Sequence, residues 1–350
     1  MDSLSQFILG AACGEAVLGK KMGNHAILWG GIAGTIPDLD VIFMPLLDNP
    51  AFKLGFHRGY SHSFLFLTLL AFLLAYLLHR WYNNMPRTKK LNTTFKDWLW
   101  LFLLALNTHA ILDSFTTWGT QLFLPFSDAR IALNNIFVAD PIFTLPFTFL
   151  VLACLFVARQ KPLRRKLIYS GLGFACLYIC FTFFNKIQVS NAFKTALNQQ
   201  GIQYNKFMTA PTPLNNILWY GVVETDDAIY QGLYSILDDD KNIEFERFEH
   251  NKHLIEPIKN EYAVDRVTWF AADYFIVRDT DKGLMIYDAK FGKKDFENKG
   301  GKVANRFIFP FLFHEKGNGE LTFTQIEDVP EMDEVKSFFP QFLNRIKGNK

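Results

Sequence analysis

The long apolar runs in the first half of this chain limit its fold more than any other feature. Residues 61–78, 98–115, 141–157 and 167–184 each approach the roughly 20 mostly apolar residues that carry a helix across a bilayer. Residues 4–18 and 26–37 are shorter and rich in glycine and alanine, a composition suited to close helix packing or a half-inserted pair. The expected fold is an α-helical membrane bundle of 4 to 6 helices followed by a soluble α+β domain. No secretory signal is expected, since Asp2 is the only early charge and Glu15 interrupts the first run.

Short loops set the expected orientation. Arg80, Arg87, Lys89, Lys90 and Lys96 separate the first two clear runs, and Arg159, Lys161, Arg164, Arg165 and Lys166 separate the last two. Positive loops face the cytoplasm. Residues 48–60, residues 116–140 and everything after the fourth run then lie on the other side, so the C-terminal domain is expected to be extracytoplasmic. Lys20 and Lys21 fit the same scheme.

The chain divides as 1–185 for the membrane part, 186–212 for a connecting helix and linker, and 213–350 for the soluble domain. Residues 186–199 read as the connecting helix and 210–213 as a turn. Strand-like alternation covers 218–223, 229–237, 274–278 with 284–288 as a hairpin, 307–313 and 321–326. Pro310 places the 307–313 strand at a sheet edge or a bulge. Helical periodicity returns at 254–267 and 331–346.

A net charge of +2 gives no basic field for nucleic acid. Cys13, Cys154, Cys176 and Cys180 all lie inside apolar segments and read as small core residues. There is no glycine-rich phosphate loop, nucleophile elbow or cysteine placed for covalent catalysis.

Three polar clusters break the apolar half: Asp38 and Asp40 in Ile36-Pro37-Asp38-Leu39-Asp40, then His57-Arg58-Gly59-Tyr60-Ser61-His62, and His109 with Asp113 near a helix end. Imidazole nitrogen and carboxylate oxygen are the donors that zinc and similar divalent ions accept. His109 and Asp113, four apart, share one helix face. Each cluster has a plainer reading by itself. His109 and Asp113 can be a local hydrogen-bonded pair, Asp38 and Asp40 solvated caps, and His57 and His62 an interfacial loop. Asp140 is better read as an N-cap before Pro141 than as a ligand. What favours a metal is convergence, because the charge-derived orientation brings all three clusters to the outer face. Polar groups at such depth are costly and need partners. His25 and His79 stay outside the proposal, and His250, His253 and His314 read as ordinary surface positions.

These motifs, together with Met1-Asp2-Ser3-Leu4, Leu9-Gly10 and Thr117 with Gly119, resemble the YdjM-like family of membrane-bound, predicted metal-dependent hydrolases. The resemblance covers roughly the first 160 residues, and the histidine followed four residues later by aspartate is also distantly similar to zinc-dependent phospholipase C and P1 nuclease. Phosphoester hydrolysis is what that similarity implies. Ser5-Gln6 stands where members often carry Thr-His.

The expected ligand set is His57, His62, His109, Asp113, Asp38 and Asp40, holding a divalent metal, zinc foremost. Asp38 or Asp40 is the candidate general base, and Arg58 the candidate contact for an anionic oxygen. The expected substrate is a membrane lipid or lipid-linked molecule, and the expected location is the cytoplasmic membrane. The competing expectation is a non-catalytic membrane protein with a structural or sensing metal.

Overall fold

The architecture comes from a computed structural model that describes residues 1–89, 91–293, 307–317, 319–326 and 332–349. Lys90, used above for orientation, and Glu331, where the last helix was expected to start, lie outside the described residues.

Asp2 opens α1 (Ser3–Met22) by accepting the Ser5 N–H, which satisfies one of the unpaired amides of the first turn. Gly23, at a φ of 59°, turns the chain into α2 (Asn24–Thr35). The two helices meet backbone to backbone along their glycines: a Cβ on Gly30 would lie 2.2 Å from the Gly10 carbonyl oxygen. Pro37 has no N–H with which to continue α2, so the chain goes on as 3₁₀ turns, Pro37–Ile42 and Met44–Leu46, bent by 49°. A short α3 (Pro50–Phe56) and a 3₁₀ turn, Tyr60–His62, follow.

Next come α4 (Phe64–Asn84), α5 (Pro86–Lys89), α6 (Phe95–Ser114), α7 (Pro141–Leu155) and α8 (Pro162–Gln199). Leu67, Ala71 and Ala75 recur every four residues as the buried stripe of α4, while Leu65, Phe66, Leu69, Phe72 and Leu73 are exposed. A helix that exposes its large apolar side chains is built for lipid. Among the described residues α4 and α8 are long and apolar enough to cross a membrane, and the bent α2 pair makes a third if taken as one span. The wider range of 4 to 6 counted segments that do not qualify alone: α6 carries Lys96, Asp97 and Asp113, and α7 has only 15 residues. Instead α6 is buried among α1, α2 and α4. A buried ion pair, Arg164 to Glu15 at 2.7 Å, ties the start of α8 to α1.

The C-terminal domain is α+β, with two antiparallel sheets. One runs β1 (Lys206–Pro211), β2 (Leu218–Glu224), β3 (Ala228–Ser235), β4 (Phe245–Glu249); the other β5 (Phe275–Thr280), β6 (Gly283–Lys293), β7 (Phe307–Glu315), β8 (Leu321–Gln325). Met208, Val222, Ile229, Ile276, Tyr287 and Phe307 form the core they share. Val189, Phe193 and Ala196, from the second half of α8, pack on Trp219 and Tyr234. Two further helices, α9 (Tyr262–Ala271) and α10 (Met332–Ile346), complete the domain.

Several sequence expectations change here. Residues 210–213, read as a turn, belong partly to β1, an edge strand that ends on Pro211 where a missing N–H costs little. The strand containing Pro310 is interior rather than at the edge, lying between β6 and β8, and a register irregularity in β6 between Asp288 and Lys293 sits beside it. The helix expected at 254–267 starts only at Tyr262, after two 3₁₀ turns. Residues 186–199 are not a separate helix but the continuation of α8. Cys13 and Cys154 are buried as expected, whereas Cys176 and Cys180 are exposed on α8.

By internal packing the chain forms two compact units. Met1–Pro45, Phe56–Phe183 and Pro213–Asn215 make the first; Leu46–Gly55, Phe184–Thr212 and Asn216–Lys350 make the second.

Candidate metal centre

Three elements of the first unit bring polar groups to a common point. The 3₁₀ turn begun by Pro37 carries Asp38, the turn ahead of α4 carries His62, and the last turns of α6 carry His109 and Asp113. One ligand atom from each of these four residues lies within 4.8 Å of all the others. His62 Nε2 is 3.3 Å from Asp38 Oδ1, 3.2 Å from Asp113 Oδ2 and 3.1 Å from His109 Nε2. His109 Nε2 is 3.4 Å from Asp38 Oδ1 and 3.6 Å from Asp113 Oδ2.

The hydrogen bonds behind the two rings decide what the rings offer. His109 Nδ1 lies 2.6 Å from the Gly34 carbonyl oxygen, which can only accept, so Nδ1 carries the proton. Ser61 gives its single hydroxyl proton to Asp40 Oδ2 at 2.6 Å and therefore accepts from His62 Nδ1 at 2.8 Å. When neutral, both rings turn an Nε2 lone pair toward each other and toward two carboxylate oxygens. Four acceptors facing inward repel one another unless protons or a cation lie between them, and fixing Nδ1 through a carbonyl or carboxylate is how metal-binding histidines are held. The donor set fits a divalent ion.

The surroundings are polar and closed. Arg58 donates from Nη1 to Thr116 Oγ1 at 2.8 Å and sets Nε 3.1 Å from Asp113 Oδ2. The Met1 amine and Gln6 Nε2, the latter at 2.9 Å, both lie on Asp113 Oδ1. Side chains of His62, His109 and Asp113 are wholly buried, while Asp38 keeps 21% exposure, which makes it the open side of the cluster.

Two of the six expected ligands occupy a different place. Asp40 accepts from His57 Nδ1 at 2.9 Å, from the Arg58 N–H at 3.1 Å and from Ser61, so both its oxygens are engaged. His57 turns its ring edge to Trp118 at 5.8 Å and pairs with Asp40 rather than with the inner four. Asp40, Ser61 and His57 form a layer that orients His62. Asp140 caps α7, accepting from the Ile142 and Phe143 N–H groups and the Tyr178 hydroxyl, well apart from the cluster. His25 and His79 are outside it also.

Sequence reasoning assigned no role to Ser61, Thr116 or the Gly34 carbonyl. Ser61 stood inside a quoted motif, but its role depends on the ring it faces. Gly34 acts through its backbone, which leaves no residue-type signal beyond the glycine itself.

A family model described as YdjM inner membrane protein matches residues 1–189, and so takes in all four inner residues. An uncharacterized protein, YfhP, of Bacillus subtilis is 30% identical over 186 residues, covering 51% of each chain. The inner membrane protein YbcI of Escherichia coli is 32% identical over 125 residues, 32% of this chain and 61% of that one. The chain thus spans about half the length of the first of these relatives and somewhat more of the second. Neither relative's name mentions a phospholipase or a nuclease, and no solved structure matches. Spanning helices and family together place the chain in the cytoplasmic membrane, and the chain belongs to the YdjM inner membrane protein family.

Proposed function

We propose that this protein is a membrane-bound, metal-dependent hydrolase that cleaves phosphoester bonds in a lipid or lipid-linked substrate. The observation that carries the reading is the buried convergence of two imidazole Nε2 atoms with two carboxylate oxygens, each ring held by a hydrogen bond at Nδ1. Asp38, His62, His109 and Asp113 would hold the ion, with zinc suited to this mixed nitrogen and oxygen set. A divalent ion in such a place supplies a Lewis acid and lowers the pKa of a bound water toward about 7.

The chain's own residues divide the remaining tasks. Were one aspartate to act as base instead of as a ligand, Asp38, partly exposed, would be better placed than Asp40, which is saturated by three donors. Arg58, whose Nε lies 3.1 Å from Asp113 Oδ2, sets a buried cation beside the cluster, which suits it to attract an anionic substrate oxygen. Leu39, Val41, Ile42 and Phe43 follow Asp38 directly and are exposed, as is Tyr60 beside the His62 turn. Such an apolar rim supports a substrate that arrives laterally through lipid. The loop charges support an extracytoplasmic C-terminal domain, and the apolar rim then lies at the outer leaflet.

A second reading, a non-catalytic protein with a structural or sensing metal, is favoured by one feature. Four protein ligands already close a tetrahedral sphere, as structural zinc sites do. Full-length protein in mixed micelles, assayed on phosphoester lipids with metal content measured alongside, separates the two. Stoichiometric metal with turnover, both lost in His109→Ala while the melting temperature persists, is the expected result. Bound metal without turnover, and unfolding of His109→Ala, selects the structural role. Absence of metal from wild type ends both.

A further inference from the structure

Gln6 lies on α1, one turn into the helix, and its amide is clamped against the metal centre. Its Nε2 donates to Asp113 Oδ1 at 2.9 Å and to the His109 carbonyl oxygen at 3.2 Å, so both amide protons are used. Both partners can only accept, which fixes the amide's orientation, because the reverse would set its carbonyl against two acceptors. The side chain is 1% exposed, and Oε1 accepts no hydrogen bond from any described residue. A buried acceptor left unmet is costly, so a partner for it is expected.

Asp113, the carboxylate that Gln6 grips, sets its other oxygen, Oδ2, 3.1 Å from Arg58 Nε and 3.2 Å from His62 Nε2, so the amide is braced on one of the four clustered residues. Gln6 Oε1 is thus a buried acceptor without a hydrogen bond among the described residues, on a side chain anchored to one of the four clustered residues, and a cation held there would satisfy it.

We propose that Gln6 Oε1 is a further ligand of the ion held by Asp38, His62, His109 and Asp113. The proposal rests on the metal-centre reading and extends it. An amide oxygen adds a neutral donor, which raises the coordination number beyond four without adding charge. Oxygen then outnumbers nitrogen in the sphere, and the site tolerates the higher coordination numbers typical of oxygen-bound divalent ions.

The test uses full-length, detergent-purified protein titrated with zinc and with cobalt(II), and reads affinity and the visible bands of bound cobalt. Gln6→Leu removes the oxygen and both amide protons; Gln6→Glu keeps an oxygen and loses the donors to Asp113 and His109. The expected result is an affinity loss of at least about 10–100-fold in Gln6→Leu, the scale known for outer partners of a metal site, with Gln6→Glu at or above wild type. Cobalt bands should be weak in wild type, as for more than four ligands, and intensify toward the tetrahedral form in Gln6→Leu.

Unchanged affinity in Gln6→Leu overturns the proposal. So does Gln6→Glu binding as poorly as Gln6→Leu, because Gln6 then acts only through its hydrogen bonds. Should Gln6→Leu fail to fold, as judged by metal-free thermal unfolding, Gln6→Glu and the wild-type spectrum still decide, and intense tetrahedral bands in wild type sink the assignment. A wild type that binds neither ion removes the metal centre itself, an outcome distinct from failure at Gln6 alone.

Discussion

Two of the three buried histidines among the described residues are enclosed for opposite reasons, and the contrast shows what a polar residue needs from its surroundings. His62 is enclosed by Ser61, Asp38, Asp113 and His109, with a hydrogen-bond or ion-pair contact for each ring nitrogen. His250, expected at the surface, is instead buried in the soluble domain, its ring centroid 4.7 Å from that of Phe275. Burial, with Lys252 nearby, pushes its pKa down to about 3, although Glu224 lies 4.0 Å away and Asp273 also faces it. The folded state therefore holds a neutral ring where the unfolded chain takes a proton below about 6.5. The unfolded state binds more protons in that window, so stability is full above about pH 6.5 and falls as pH drops toward 3, by up to about 1.4 kcal/mol per unit. Chemical denaturation of the full chain between pH 7 and pH 4 should show this slope, and His250→Phe should flatten it. An equal slope in His250→Phe would move the effect to the carboxylates.

At the scale of elements, the metal centre depends on contacts that never touch it. The backbone approach of α1 and α2 sets the Gly34 carbonyl against His109 and aims the 3₁₀ turn that carries Asp38. A methyl at Gly30 meets the Gly10 carbonyl oxygen, which is rigid backbone, so the helices must separate. Gly30→Ala should accordingly weaken metal binding by about 10–100-fold, the cost of misplacing an outer partner, while far-UV circular dichroism stays unchanged. Full affinity in Gly30→Ala would mean that the hairpin has slack. Glycine-rich pairing of these two segments was legible in the sequence, as were the apolar runs, because composition and length report them directly. The ligand types were legible too, yet the division between the inner four and the Asp40–Ser61–His57 layer was not. That division rests on which oxygen each donor reaches, a matter of angstroms that spacing does not encode. Similarly, β1 was hidden by its proline, and the change from apolar to polar at 184–186 does mark where the two packing units part, but not the end of a helix. No breaker stands there, and the helix runs on.

For the whole molecule, the decisive question is on which side the two units lie. The loop charges predict that residues 48–60 and the C-terminal domain share the extracytoplasmic side. Packing independently groups Leu46–Gly55 with the C-terminal unit, and Gly55 approaches the Trp269 ring of α9. A segment cannot pack with a domain across a bilayer, so this grouping supports the charge count. The exchanged segment also ends only two residues before His57, which links the domain covalently to the layer that orients His62. A reporter active only outside the membrane, inserted after Asn92 in one fusion and after Asn349 in another, should be silent in the first and active in the second. Reporters on one side in both would undo the orientation that gathers the polar clusters at the outer face, and with it the case for a substrate entering from the outer leaflet. The inner four ligands would remain together, since their convergence is a property of the fold, but the rim of Leu39, Val41, Ile42 and Phe43 would then open toward the cytoplasmic leaflet, and substrates should be sought there.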